Sequence, residues 1–286
     1  MAVVATGFFD GVHLGHRKVI ETLLDCAGGR GEQSLVLTFW PHPRTVLQND
    51  ARELRLLTSM DEKRSMLLDL GVDDVIVMPF TKEFAAMTAG QYLSSVVKGR
   101  YGASAIVLGY DNRLGSDLLD PDRAMPVAVE MGLDVVRCTS AGEISSTKIR
   151  KALSEGDVES AQDMLGYPYH MRGVVVSGNR LGRTIGFPTA NIRLYEPLKL
   201  IPFTGAYLTE VEVQGRTYYG MTNIDVAGKI ETHIFNFSED VYGLDIDLHF
   251  LSKIRGEIKF QSLQELKNQL EIDRDTCKNL IFGVWK

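Results

Sequence analysis

Two histidines spaced three apart, His13 and His16, lie in the run Gly7-Phe8-Phe9-Asp10-Gly11-Val12-His13-Leu14-Gly15-His16. The apolar run Val3-Val4-Ala5 precedes it, and Val19, Ile20, Leu23, Leu24 and Ala27 follow at helical spacing. A strand therefore enters a glycine-punctuated turn and leaves as a helix opening at Gly15-His16. The free backbone N–H groups of a helix start can hold an anion. Two imidazoles on the same rim suit attack at a phosphate, because charge builds on the phosphoryl oxygens and the leaving group. The helix dipole alone contributes about 0.3–1 kcal/mol, whereas losing one well-placed charge stabiliser costs about 3–4 kcal/mol. The histidines, with a metal ion and basic groups from elsewhere, must supply most of the effect. No Ser or Cys nucleophile is needed, since a phosphate on the substrate can itself attack.

A second stretch with chemical content is Gly178-Asn179-Arg180-Leu181-Gly182-Arg183-Thr184-Ile185-Gly186-Phe187-Pro188-Thr189-Ala190-Asn191. Its three glycines allow backbone N–H groups to approach a phosphate. Thr189 and Asn191 offer neutral oxygens suited to a hard cation such as Mg²⁺. The order GxxxxGK[ST] is absent, so this is not a Walker loop. Glu231 stands on an alternating stretch, where a lone carboxylate most simply faces solvent.

The elements that must position these groups change character along the chain. Up to residue 165, strand-like runs (35–39, 75–78, 105–108, 133–137) alternate with helical ones. Thr58-Ser59-Met60-Asp61-Glu62 carries overlapping capping-box signals, and Thr88 to Gln91 forms another cap. A helix is expected near Pro121, with Pro126 in its first turn or breaking it. Ser145-Ser146-Thr147 precede a further helix, and Asp157 caps one that reaches Leu165. This β-α-β-α order predicts a Rossmann-like α/β unit with a mostly parallel sheet. Ligands lie beyond the carboxyl ends of such strands, where 7–16, 109–113 and 145–150 are expected to converge.

After Gly166-Tyr167-Pro168 the strands become short and rich in β-branched and aromatic residues (174–176, 207–213, 217–221, 231–237, 246–250), with a hairpin signal at Gln214-Gly215. Ile246, Leu248 and Phe250 alternate with Asp245, Asp247 and His249, so one face of that strand is buried. A small barrel or sandwich is expected. Ser262-Leu263-Gln264-Glu265 caps a C-terminal helix, and a second stretch of helix is expected after Asp273. The expected domains are 1–167 and 168–286.

Composition excludes several classes. The formal charge is −6, and residues 169–286 hold 14 Lys+Arg against 14 Asp+Glu. Neither half has the basic excess of a nucleic-acid binder. Cys26, Cys138 and Cys277 are far apart and form no CxxC pair, which points to reduced thiols in a cytoplasm. Asp10 falls where a signal peptide is apolar, and no apolar run approaches membrane-spanning length.

The motifs then carry a resemblance. Residues 7–16 resemble the GxFDGxHxGH signature of nucleotidyltransferases that adenylylate FMN, with His13-Leu14-Gly15-His16 similar to the HxGH box over the ATP phosphates. Thr38-Phe39-Trp40-Pro41-His42-Pro43 resembles the TFxPHP stretch of that family. Gly109-Tyr110-Asp111-Asn112-Arg113-Leu114-Gly115 is similar to its GxDFRFG segment, with Asn112 and Leu114 replacing two phenylalanines. Ile144-Ser145-Ser146-Thr147-Lys148-Ile149-Arg150 resembles its ISSTxIR motif. The resemblance implies that His13 and His16 are catalytic and that Gly7, Phe9, Asp10 and Gly15 line the ATP. It also places Asp111 on the adenine side, and Ser146, Thr147 and Arg150 on the phosphates.

Residues 178–191 resemble the GxGRxxGFPTAN motif of riboflavin kinases. Glu231-Thr232-His233-Ile234-Phe235-Asn236-Phe237, followed by Tyr242-Gly243, is similar to that family's second segment, and Ile254-Arg255-Gly256-Glu257-Ile258-Lys259-Phe260 to its IRxExKF. The resemblance implies a C-terminal antiparallel β-barrel with Glu231 as general base for the ribityl 5′-hydroxyl. Gly178, Gly182, Arg183, Gly186, Pro188, Thr189 and Asn191 then form the kinase ATP site, with Thr189 and Asn191 on Mg²⁺ and Asn223 and Arg255 toward the flavin. One departure stands out: Asn223-Ile224-Asp225-Val226-Ala227-Gly228-Lys229 runs almost directly to Glu231 and lacks the family's Pro-Thr. Together the motifs resemble the bifunctional riboflavin kinase/FMN adenylyltransferases, whose small-molecule partners are riboflavin, FMN, FAD and ATP. A chain with a weakened kinase half, and a non-catalytic flavin-binding regulator, are the alternatives.

Overall fold

The computed structural model describes residues 1–47, 54–110, 112–139, 142–178 and 181–283. The chain forms two compact units, Met1–Ser146 and Thr147–Lys286.

The first unit is built on five strands: β1 (Ala2–Thr6), β2 (Gln33–Trp40), β3 (Asp74–Pro79), β4 (Ala103–Leu108) and β5 (Asp134–Arg137). They pair in the order β3-β2-β1-β4-β5, and every pairing is parallel. All five residues of β1 are buried, as expected of a strand covered on both faces. Successive residues serve opposite sides. Val4, Leu37 and Ile106 pack toward Tyr92, Leu93 and Ala124, while Val3, Ala5, Val36 and Val107 pack toward Ile20, Leu23 and Leu67. The order reverses between β1 and β4, the position at which a ligand crevice opens in such sheets.

The helix Leu14–Arg30 follows β1 and ends at Gly31, whose φ of 65° suits glycine. Ser59 and Glu62 form a complete capping box at the helix Met60–Asp69, and Thr88 and Gln91 form another. Pro126 differs from expectation. It lies in the second turn of the helix Pro121–Glu130 without ending it. The helix forfeits one backbone bond there, but Asp120 caps its start and Ala124 and Ala128 are buried.

The second unit contains β6 (His170–Val176), β7 (Ala190–Leu194), β8 (Gly205–Val213), β9 (Arg216–Ile224), β10 (Ile230–Ile234) and β11 (Asp245–Arg255). They close an antiparallel barrel in the order β10-β7-β6-β11-β8-β9, which decides between barrel and sandwich. Ile246, Leu248 and Phe250 face its interior. A fully buried ladder of hydroxyls joins Thr209, Thr222 and Thr232, with 2.8 Å between successive oxygens. β10 stops before the expected residue 237, because Asn236 takes a φ of 54°. β7 was not expected as a strand, since the Gly- and Pro-rich residues before it mask its start.

The C-terminal helix is continuous over Leu263–Gly283, not two pieces. Asp273 caps nothing, because its carboxylate is taken by Arg255 and by Gln269 Nε2 at 2.8 Å. Cys277 on this helix joins a cluster with Phe187, Leu208, Met221 and Phe235, and burial pushes its thiol up to about 12. Among the described residues no helix is long and apolar enough to cross a membrane.

Candidate active site

Each unit carries a constellation of its own. In the first, β1 ends at Thr6 and the chain turns sharply. Gly7 N–H donates to the Leu37 carbonyl at 3.1 Å, and Val12 N–H to that of Phe9 at 3.1 Å. Phe9, Gly11 and Val12 all have positive φ, 53°, 81° and 35°. For the two non-glycine residues this costs of order 1–3 kcal/mol each, so the surroundings must impose it. Asp10 does so. It is buried, and its carboxylate accepts from the N–H groups of Leu57 and Thr58 at 3.1 Å and from the Thr58 hydroxyl. The Thr58 oxygen in turn accepts from Gly11 N–H at 3.0 Å. Gly7 is close to the Phe9 ring, which a Cβ there would meet at 3.2 Å.

The strained loop delivers His13 to the N-cap of the helix Leu14–Arg30. Its Nδ1 accepts from His16 N–H at 3.2 Å, so a neutral His13 carries its proton on Nε2 and is a donor there. The His13 and His16 rings stack with centroids 3.6 Å apart, and the Phe9 ring meets His16 edge-on at 5.3 Å. His16 is held well below the usual histidine pKa, first by desolvation and then by the neighbouring charges of His13 and Lys63. Gly15 lies in the first turn, where N–H groups lack intrahelical acceptors.

Two residues from later in the chain reach the end of β1 and the loop after it. Asn112 Nδ2 donates to the Thr6 carbonyl at 3.1 Å, and the Ser146 hydroxyl to the Asp10 carbonyl at 3.0 Å. Asn112 thus ties the loop after β4 to the end of β1. Thr147 and Arg150 follow Ser146 on the helix Ser146–Glu155. Asp111 lies outside the described residues.

The second constellation is a row across three strands. Glu231 on β10 pairs with Asn191 on β7 and with Asn223 on β9. Directly opposed residues project to the same face, here the face away from the threonine ladder. Asn191 is 6% exposed, and among the described residues its Oδ1 has no hydrogen-bond partner. Gly178 lies against this amide: a Cβ there would come within 2.1 Å of Asn191 Nδ2. Gly182 is equally close to its surroundings, accepting from Phe187 N–H at 2.8 Å, with Thr189 Oγ1 3.5 Å from where its Cβ would stand. Gly186 has a φ of 86°. Arg183 is exposed on the short turn Leu181–Thr184. The Pro188 carbonyl is 2.7 Å from His233 Nδ1, which pins the loop to β10. Desolvation lowers the His233 pKa, opposed by that bond.

Two lysines at these sites were not anticipated. Lys229 Nζ is 2.7 Å from Glu231 Oε1. The connection carrying it is a tight hairpin, in which Asp225 Oδ1 accepts from the N–H groups of Ala227 and Lys229 at 2.8 Å. Lys63 sits beside the histidine loop; its only sequence signal is that it precedes the buried Leu67 by four residues on one helix. Arg255 is engaged by Asp273 through three contacts of 2.8–3.0 Å.

A parallel sheet with a paired-histidine loop at its reversal point, followed by a barrel with a glycine loop over an Asn–Glu row, defines a two-part nucleotide-dependent transferase. Residues 1–151 match the FAD synthetase family model and residues 165–281 the riboflavin kinase family model. The chain belongs to the bifunctional riboflavin kinase/FMN adenylyltransferase family. The Listeria monocytogenes enzyme of that name is 37% identical over 96% of this chain and 91% of its own length. The Bacillus subtilis enzyme is 36% identical over 96% and 90%. A crystal structure described as a macrolide-efflux protein from Streptococcus pneumoniae superposes with a TM-score of 0.87 at 31% identity, covering 97% of this chain and 94% of that one.

Proposed function

We propose that the chain makes FAD in two steps: the barrel half phosphorylates riboflavin with ATP, and the parallel-sheet half joins the FMN to AMP, releasing pyrophosphate. The observation that supports this reading is that the paired-histidine loop lies on the parallel-sheet unit and the Glu231–Asn191 pair on the barrel. Residues 1–167 are assigned to adenylyl transfer and 168–286 to the kinase.

In the adenylyl half the FMN phosphate is itself the nucleophile and attacks the α-phosphorus of ATP. His13 Nε2–H donates to the phosphoryl oxygens as charge develops. His16, kept neutral by its surroundings, acts with it as a hydrogen-bonding group and not as a fixed cation. Gly15 and the helix start, with Ser146, Thr147 and Arg150, receive the phosphates. Asp111 takes the adenine side. Gly7, Phe9 and Asp10 shape the ATP loop, Asp10 by holding the turn onto Thr58. Both steps depend on positioning and charge neutralisation.

In the kinase half Glu231 accepts the ribityl hydroxyl proton, and Lys229 orients its carboxylate. Gly178, Gly182, Arg183, Gly186 and Pro188 form the ATP loop. The unpartnered buried oxygen of Asn191 fits a hard cation, so Asn191 and Thr189 would hold Mg²⁺, which supplies charge neutralisation to the transferred phosphoryl group. Asn223 and Arg255 border the flavin. The three free thiols fit a reducing cytoplasm.

The test is a product assay with purified protein and ATP·Mg²⁺. Riboflavin should give FMN and then FAD, and FMN alone should give FAD and pyrophosphate. FAD from FMN without FMN from riboflavin would mean a weakened kinase. Tight flavin binding with neither product would mean a regulator.

A further inference from the structure

Lys63 is 1% exposed, and among the described residues its Nζ has no hydrogen-bond partner. It belongs to the helix Met60–Asp69, which is fastened to the histidine loop. Ser59 caps that helix, and Leu57 and Thr58, just before it, grip Asp10. The lysine stem is thereby led under the loop, where Nζ lies 3.5 Å from the centroid of the Phe8 ring. This places the ammonium over the ring face as a cation–π contact, and Phe8 also meets His42 in a T-shaped pair, 4.1 Å between centroids. The titratable groups shown to act on Lys63 among the described residues are Asp10 on the loop and His16 on the following helix. Asp10 attracts the ammonium at a distance, while its carboxylate is hydrogen-bonded to Leu57 and Thr58.

An ammonium has three donors, and buried polar groups normally find partners. The cation–π contact with Phe8 offsets part of the desolvation but, among the described residues, engages none of the three N–H donors in a hydrogen bond. A buried cation with unused donors beside a paired-histidine anion loop is instead suited to an anion that arrives with the substrate.

We propose that Lys63 is an anion-binding residue of the adenylyl-transfer site, its ammonium taking phosphoryl oxygens of the bound nucleotide beside His16. The inference rests on the adenylyl-transfer reading above. Burial brings the Lys63 pKa down to about 8, with Asp10 opposing the shift. The residue is therefore mostly charged at neutral pH, and an arriving anion stabilises that charge. His16, neutral at the same pH, does not compete for the anion as a second cation.

The test uses the full chain with Lys63→Met and Lys63→Arg. FAD formation from FMN and ATP·Mg²⁺ is measured with separate KM and kcat. Urea unfolding of the same samples reports the fold, and riboflavin phosphorylation reports whether the loss is confined to adenylyl transfer. Binding of pyrophosphate with Mg²⁺ reports the phosphate site, because only adenylyl transfer releases that product. Lys63→Met should lower kcat/KM for FAD formation about 100-fold and leave riboflavin phosphorylation unchanged. Weaker pyrophosphate binding, by about tenfold, identifies the ATP phosphates as the ligand. Unchanged pyrophosphate binding with a raised KM for FMN identifies the FMN phosphate. Lys63→Arg should retain activity, and the decline of the wild-type rate above about pH 8 should move to higher pH. Near wild-type FAD formation by Lys63→Met overturns the proposal. So does an alkaline limb unmoved in Lys63→Arg, which also decides the matter if Lys63→Met loses both activities through misfolding. A wild type that makes no FAD from FMN defeats the functional reading itself, whereas FAD formation by wild type and Lys63→Met alike defeats only the role of Lys63.

Discussion

Glu231 on β10 lies directly opposite Asn191 on β7 in the antiparallel ladder, so a carboxylate and a buried amide oxygen, unpartnered among the described residues, share one face of the barrel. Only the carboxylate suits proton removal, and the amide oxygen suits a hard cation. Glu231→Gln keeps the size of the side chain but removes the carboxylate proposed as the base. Riboflavin phosphorylation should fall by about 10²–10⁴, while FMN is still converted to FAD. Initial rates with each flavin alone check this, and equal loss of both activities in folded protein would contradict the division of labour.

Gly178 supports Asn191 by having no side chain. In Gly178→Ala the new Cβ meets the amide at 2.1 Å, and overpacking of this kind costs about 1–3 kcal/mol. The denaturation midpoint should fall, and the KM for ATP·Mg²⁺ in the kinase reaction should rise. Gly29→Ala is the control: nothing stands within 4 Å of its Cβ, and it lies in the helix Leu14–Arg30. That change should be neutral or stabilise by about 0.4–1 kcal/mol.

The lowered pKa of His16 makes stability depend on pH with a definite sign. Between the depressed folded pKa and the ordinary value of 6.5, the unfolded chain binds a proton that the native site refuses. Stability therefore rises with pH through that window and is lost as pH falls below 6.5, by at most about 1.4 kcal/mol per pH unit. His16→Gln removes this contribution. Urea titrations at a series of pH values from 7 downward should show a shallower decline in the variant than in wild type.

Arg255 and Asp273 form a nearly buried pair, with side chains 16% and 3% exposed. Asp273→Ala leaves the guanidinium uncompensated and should cost about 3–5 kcal/mol in chemical unfolding. The double change Arg255→Met with Asp273→Leu should recover most of it. If Arg255 also borders the flavin, the double variant will be stable yet bind riboflavin more weakly; unchanged affinity would confine Arg255 to holding the C-terminal helix.

Much of this was legible in the order of residues because it is local. β1, the glycine turn and the helix Leu14–Arg30 are contiguous, and the capping box at Ser59 and Glu62 closes within one helical turn. The alternation around Ile246, Leu248 and Phe250 already separates the two faces of β11. Other features are not local. A lysine on a helix is solvated by default, and nothing near Lys63 in sequence shows that Phe8 covers it. β7 follows a glycine- and proline-rich loop and becomes a strand through its pairing with β6 and β10. Asp273 resembles a helix start until Arg255, 18 positions earlier, is seen to take its carboxylate.

By itself the sequence determined the motifs, their order and the succession of a parallel α/β half by a β-rich half, because strand and helix periodicity, caps and turns are short-range. Only the tertiary structure decided how several of the motif residues are held and which of them stand together. Asp10 turns inward and locks a strained loop onto Thr58, Asn112 ties the loop after β4 to the end of β1, and Glu231, Asn191 and Asn223 fall into one row. The physical reason is that burial and strand register arise from contacts between distant segments. A one-residue shift in the pairing of β10 would move Glu231 out of that row and leave every motif unchanged.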